Sequence, residues 1–97
     1  MSVYIVVQFT ILDARAFERY AVKSRETISR FGGRVIARGT AEPLKAEAFP
    51  EQGAILEFPD RKAAQSWFQS SDYQALTTLR DASSDTTFLM YPAFEGD

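Results

Sequence analysis

The chain predicts an α+β fold whose elements follow the order β-α-β-β-α-β. Three observations lead there. Segments rich in β-branched and aromatic residues alternate with segments whose apolar residues recur at helical spacing. Capping and turn residues, namely Asp13, Gly32-Gly33, Pro59-Asp60 and Ser70, stand at the joints between them. Finally, 97 residues with 45% hydrophobic content suit one domain, expected over residues 1–97, with a core of its own.

Val3 to Ile11 reads as the first strand, closed by Asp13 as the N-cap of a helix. From Ala14 to Phe31 the apolar positions fall at Phe17, Tyr20/Ala21, Ile28 and Phe31, with one polar interruption at Ser24. Gly32-Gly33 ends this helix, because glycine tolerates the left-handed conformation that follows a last helical turn. Arg34 to Gly39 and Gly53 to Phe58 form the second and third strands. Pro59-Asp60 then stops the third strand and caps a helix that buries Ala64, Trp67 and Phe68. Ser70-Ser71-Asp72 marks a break with a new N-cap, after which Tyr73, Leu76, Leu79 and Arg80 share one helical side. Phe88 to Tyr91, led in by Thr86 and Thr87 and stopped by Pro92, is the last strand. This order is the ferredoxin-like arrangement, one four-stranded antiparallel sheet with two helices on one face.

The first strand is apolar on both sides. Val3, Ile5, Val7, Phe9 and Ile11 alternate with Tyr4, Val6, Gln8 and Thr10, whereas a sheet with one wet face alternates cleanly between apolar and polar. Two helices cover one face, so the other is expected to pack on the sheet of a second copy, making a homodimer. The connection from Thr40 to Gln52 is long for a hairpin and is expected to be a dimer contact or the rim of a cleft, anchored by Phe49.

Composition removes whole reaction classes. The chain has no His, Cys or Asn. It therefore offers no thiolate nucleophile, no Ser–His or Cys–His pair, no Cys/His zinc site and no His or Cys ligand for haem. No cofactor and no metal are expected. With 11 Lys+Arg against 13 Asp+Glu, a net charge of −2, nucleic acid is not an expected partner. The longest apolar run, Val3 to Val7, is far short of the roughly 20 residues that cross a bilayer, so no membrane partner is expected and localisation is expected to be cytoplasmic. Arg15, Arg19 and Lys23 form a basic stripe, but Glu18 and Glu26 beside it mark a solvated helix face.

Candidate chemistry falls on six residues. Trp67, Tyr73, Arg80 and Tyr20 bring polar-tipped side chains towards the sheet and are candidates to line a ligand cleft, weighed against simple core packing. Arg38 and Glu57 are charged residues inside neighbouring strands. Strict two-residue alternation puts Arg34, Ile36 and Arg38 on one face, leaving an Arg38–Glu57 ion pair geometrically open. In that arrangement Arg38 would hold an anionic substrate group and Glu57 would act as general base.

Phe17-Glu18-Arg19-Tyr20, Gly32-Gly33, Ala37-Arg38-Gly39, Glu57-Phe58-Pro59, Trp67 with Ser70, Tyr73-Gln74-Ala75-Leu76 and Arg80 with Ala82 and Ser83 together resemble the domain-of-unknown-function 1330 family of small bacterial proteins. The resemblance covers nearly the entire chain and implies a ferredoxin-like subunit forming a dimeric α+β barrel, an architecture shared with small monooxygenases and isomerases. It places family motifs on Tyr20, Arg38, Glu57, Trp67, Tyr73 and Arg80, and it implies no particular activity. Thr40 and Ser71 depart from the pattern, where Gly and Pro often stand. Two functions follow: a homodimer binding a small anionic or aromatic molecule in a cleft between helices and sheet, or a cofactor-free monooxygenase- or isomerase-like enzyme with Glu57 as base.

Overall fold

The computed structural model describes residues 1–95. Its elements are β1 (Val3–Ile11), α1 (Ala14–Arg30), β2 (Arg34–Thr40), β3 (Gln52–Phe58), α2 (Arg61–Gln69), α3 (Ser71–Gln74), α4 (Thr77–Ser83) and β4 (Ser84–Pro92). The strands form one antiparallel sheet in the order β2-β3-β1-β4, the ferredoxin-like topology. Among the described residues no helix is long and apolar enough to cross a membrane.

Local chemistry sets the boundaries. Asp13 caps α1 by accepting from the Ala16 N–H at 3.1 Å, and Asp60 caps α2 by accepting from the Ala63 N–H at 2.7 Å. Gly32 takes φ +80° just past α1, a conformation that L side chains rarely adopt. Gly33 serves a different need: a Cβ there would lie 2.5 Å from the Phe58 ring, so the chain passes this close only without a side chain.

The second helical region breaks at Ser70, where the sequence places a new N-cap, and once more before Thr77, which makes three short helices. Ser70, extended at φ −65° and ψ 150°, ends α2, and its hydroxyl accepts from the Tyr73 N–H to start α3. β4 begins at Ser84, earlier than Thr86, because pairing with β1 runs on to Ile11↔Ser84; it also includes Pro92, which sits on an edge strand where a missing N–H is tolerated.

The sheet separates two apolar faces. Val3, Ile5 and Val7 of β1 are buried on the helix side together with Leu56 and Phe58 of β3. Tyr20 and Ile28 of α1, Ala64 and Trp67 of α2 and Tyr73 of α3 complete this core. The outer face carries Tyr4 and Val6, flanked by Glu57 and Ile55 on β3 and by Tyr91 and Leu89 on β4. Leu89 and Tyr91 remain 45% and 52% exposed, a degree of exposure that is unusual for large apolar side chains on a sheet face.

One irregularity matters for the site. The β2–β3 pairing runs Arg34↔Glu57 and Val35↔Leu56, then shifts so that Ala37 faces Ile55 and Arg38 faces Ala54. Ile36 is the extra residue of a β-bulge, and beyond it the alternation of faces is reversed.

Candidate functional site

A cavity of about 290 Å³ lies between α1 and the helix-side face of the sheet. Its walls are apolar: Val7 and Phe9 of β1, Phe17 and Ile28 of α1, Val35 of β2, Leu56 of β3 and Phe88 of β4 all contribute. Phe9 and Phe17 stack with ring centroids 4.7 Å apart and form one end. Polar groups are few: Ser24 and Arg25 come from α1, Arg38 from β2, and Gln52 and Thr86 from the neighbouring strands. A largely apolar pocket with a few placed polar groups is the usual form of a small-molecule site.

Arg25 and Arg38 are both exposed and lie at the rim. Neither makes an ion pair among the described residues, where the pairs are Arg30–Asp72, Arg34–Glu57 and Arg80–Asp81. Among the described residues the cavity mouth thus carries two positive charges outside any ion pair. The loop 41–51 is exposed along nearly all its length; its base, at Gly39, Gln52 and Gly53, borders the cavity, and Phe49 stays 41% exposed.

The expected Arg38–Glu57 pair does not form. The bulge at Ile36 puts Arg38 on the helix-side face, opposite Ala54, while Arg34 and Glu57 share the outer face and pair at 2.7 Å. Arg34 and Arg38 therefore do not share a face as strict alternation requires. Glu57 is absent from the cavity lining, and the Arg34 guanidinium beside it holds its carboxyl below the usual carboxylate range, which makes it a weaker base.

The four aromatic and basic candidates separate by depth. Trp67 and Tyr20 line the cavity; Tyr73 and Arg80 do not. Trp67 has no exposed surface, and its Nε1–H donates to Thr27 Oγ1 at 2.9 Å, so its polar group is committed to the core. Thr27 in turn donates to the Ser24 carbonyl at 2.7 Å. Tyr20 Oη and Tyr73 Oη are 2.6 Å apart, and Arg80 Nη1 donates to Tyr73 Oη at 3.3 Å. Burial, together with Tyr73 nearby, raises the pKa of Tyr20 well above the ordinary phenol value, so it is held neutral. Burial disfavours the Arg80 charge, but Asp81 and Tyr73 outweigh it and the net shift is upward.

Arg25 was not among the sequence candidates. It stands one helical turn beyond Ala21, on the α1 face that looks onto the sheet, a position that spacing could have identified. Ser24, the polar interruption in the α1 pattern, is part of the same lining.

Solved structures share this fold. The chain is similar to RPA0582, a protein of unknown function from Rhodopseudomonas palustris, with a TM-score of 0.82 at 16% identity over 98% of this chain and 84% of that one. It is similar to SnoaB, a cofactor-independent oxygenase from Streptomyces nogalater, with a TM-score of 0.73 at 16% identity over 98% and 95% of the two chains. It is also similar to a dabb family protein with a ferredoxin-like fold from Mesorhizobium loti, with a TM-score of 0.68 at 18% identity over 96% and 97%. At these identities the likeness is one of fold. No curated protein matches the chain. The model of the domain of unknown function DUF1330 matches residues 2–94, nearly the whole length, and the chain belongs to that family.

Proposed function

We propose that the protein binds a compact aromatic molecule bearing an acidic group, in the cavity between α1 and the sheet. The supporting observation is the pairing of apolar, aromatic walls with two arginines, Arg25 and Arg38, that have no carboxylate partner among the described residues. Apolar walls take up the ring by burial, and a guanidinium binds a carboxylate through charge-assisted hydrogen bonds. A volume of about 290 Å³ suits one or two fused rings. The test is a titration with 2-naphthoate and its neutral isostere 2-naphthamide, followed by amide NMR shifts. The expected shifts concentrate at Ala21, Ser24, Arg25, Arg38 and Ala54, with naphthoate the tighter ligand. Shifts on the outer sheet face, or none at millimolar ligand, would overturn the reading.

The fold likeness to an oxygenase keeps an enzymatic reading in view. In the form that uses Glu57 as general base it has no support from placement, since Glu57 stands on the other face of the sheet and, among the described residues, no carboxylate lines the cavity. Binding is the reading the geometry favours.

We further propose that the functional unit is a homodimer joined through the outer sheet faces. Tyr4, Val6, Ile55, Leu89 and Tyr91 form a continuous apolar surface across three strands, and burial against an identical surface would remove it from water. Sedimentation velocity at micromolar concentration is expected to give a dimer, and Val6→Arg, which sets a charge in the middle of that surface, a folded monomer. A monomeric wild-type protein at that concentration would refute the dimer.

A further inference from the structure

Tyr20, Tyr73 and Arg80 form a chain of polar contacts from the cavity wall to the surface, where Arg80 meets Asp81 at 2.9 Å. Its direction follows from the donors and acceptors available. Tyr73 has no exposed surface, so its O–H needs an acceptor inside the protein. Arg80 has five N–H donors and no acceptor. The oxygen within reach is that of Tyr20, at 2.6 Å. Tyr73 therefore receives from Arg80 and donates to Tyr20.

The Tyr20 O–H is then turned away from Tyr73, towards the cavity and Ser24, its other hydrogen-bond neighbour. Tyr20 lines the cavity, as does Ser24 one turn along α1. A phenol whose oxygen accepts from a donor that is itself polarised by a guanidinium becomes a stronger donor, because successive hydrogen bonds reinforce one another. Burial also holds it protonated, so a ligand oxygen meets it as a donor.

We propose that Tyr20 is the hydrogen-bond donor that receives an oxygen of the bound molecule, a carbonyl, phenolate or enolate oxygen, with Tyr73 and Arg80 as positioning residues that fix its direction. The proposal rests on the cavity being a small-molecule site. It assigns a second polar contact, deep in the cavity, to a ligand whose acidic group lies at the Arg25 and Arg38 rim. A donor pre-aimed at an oxygen on which charge resides or develops is the arrangement used to stabilise oxyanions.

Two measurements separate this inference from the reading beneath it. The first needs no ligand. With tyrosine rings labelled in carbon-13, the bridging hydroxyl proton is expected to couple to the Tyr73 ring carbons and to exchange slowly; coupling to the Tyr20 ring carbons would reverse the chain and overturn the proposal. The second uses 4-nitrophenol against 4-nitrotoluene, the absorbance of the bound phenol reporting its ionised fraction. Wild type is expected to favour the phenolate, and Tyr20→Phe to lower that preference roughly tenfold or more. Tyr73→Phe and Arg80→Met are expected to lower it less, leaving 4-nitrotoluene affinity unchanged. Preserved phenolate preference in Tyr20→Phe would sink the assignment. If neither probe enters the cavity while the proton sits on Tyr73, the direction of the chain stands and the small-molecule reading falls.

Discussion

Trp67→Ala is expected to destabilise the fold by about 3–5 kcal/mol, the range for truncating a large buried aromatic residue. Trp67 has no exposed surface and touches the rings of Phe58, Phe68, Tyr73 and Phe88, with centroids 4.5 to 6.4 Å away. Those contacts join α2, α3, β3 and β4 on the helix side of the sheet, so no single element can relax to fill the space. The loss also removes the indole donor to Thr27 Oγ1, at 2.9 Å, and leaves that hydroxyl with its bond to the Ser24 carbonyl alone. For a domain of this size each kcal/mol lowers Tm by about 4–8 °C, and the melting point is expected to fall accordingly. The measurement is a urea titration followed by far-UV circular dichroism, because Trp67 is the one tryptophan in the chain and its removal takes the tryptophan fluorescence with it. Trp67→Phe keeps most of the ring packing and loses the donor, and is expected to cost less than Trp67→Ala. A loss under about 1 kcal/mol for the alanine variant would mean that this cluster does not organise the core.

The parts of the fold set by near neighbours in the chain were legible in the amino-acid order. Asp13 and Asp60 cap helices through bonds to residues three positions on, and Gly32 takes its left-handed turn immediately after α1. The doubly apolar β1 likewise foretold an outer face that carries Val6, Ile55 and Leu89 side by side. What stayed hidden depends on pairing between distant segments. A bulge is an insertion relative to the partner strand, and nothing in Arg34-Val35-Ile36-Ala37-Arg38 by itself marks Ile36 as the extra residue. That one residue separates Arg38 from Glu57, turning Arg38 to the cavity while Glu57, opposite Tyr4, keeps to the outer face. Depth was hidden as well. The sequence pattern puts Tyr73 and Arg80 on one helical side with Leu76 and Leu79, but it does not show that they meet Tyr20 from behind and stay off the cavity lining.

The bulge makes Arg38 the residue whose charge has most to do with the cavity. Arg38→Glu is expected to weaken binding of 2-naphthoate by at least roughly 10- to 150-fold, the equivalent of losing about 1.5–3 kcal/mol for a hydrogen bond to a charged group. Reversal adds repulsion to that loss. The neutral 2-naphthamide is expected to bind within about twofold of wild type, since the apolar walls are untouched and Arg38 is exposed and pairs with no carboxylate among the described residues. Arg15→Glu supplies the control: it also takes the net charge from −2 to −4, on an exposed position of α1 outside the cavity lining. At physiological salt, screening over about 8 Å leaves such a remote charge little influence on the ligand. Isothermal titration of the three proteins with both ligands distinguishes the cases. Equal weakening by Arg38→Glu and Arg15→Glu would attribute the effect to net charge, and naphthoate affinity unchanged in Arg38→Glu would remove the arginine rim from the binding site.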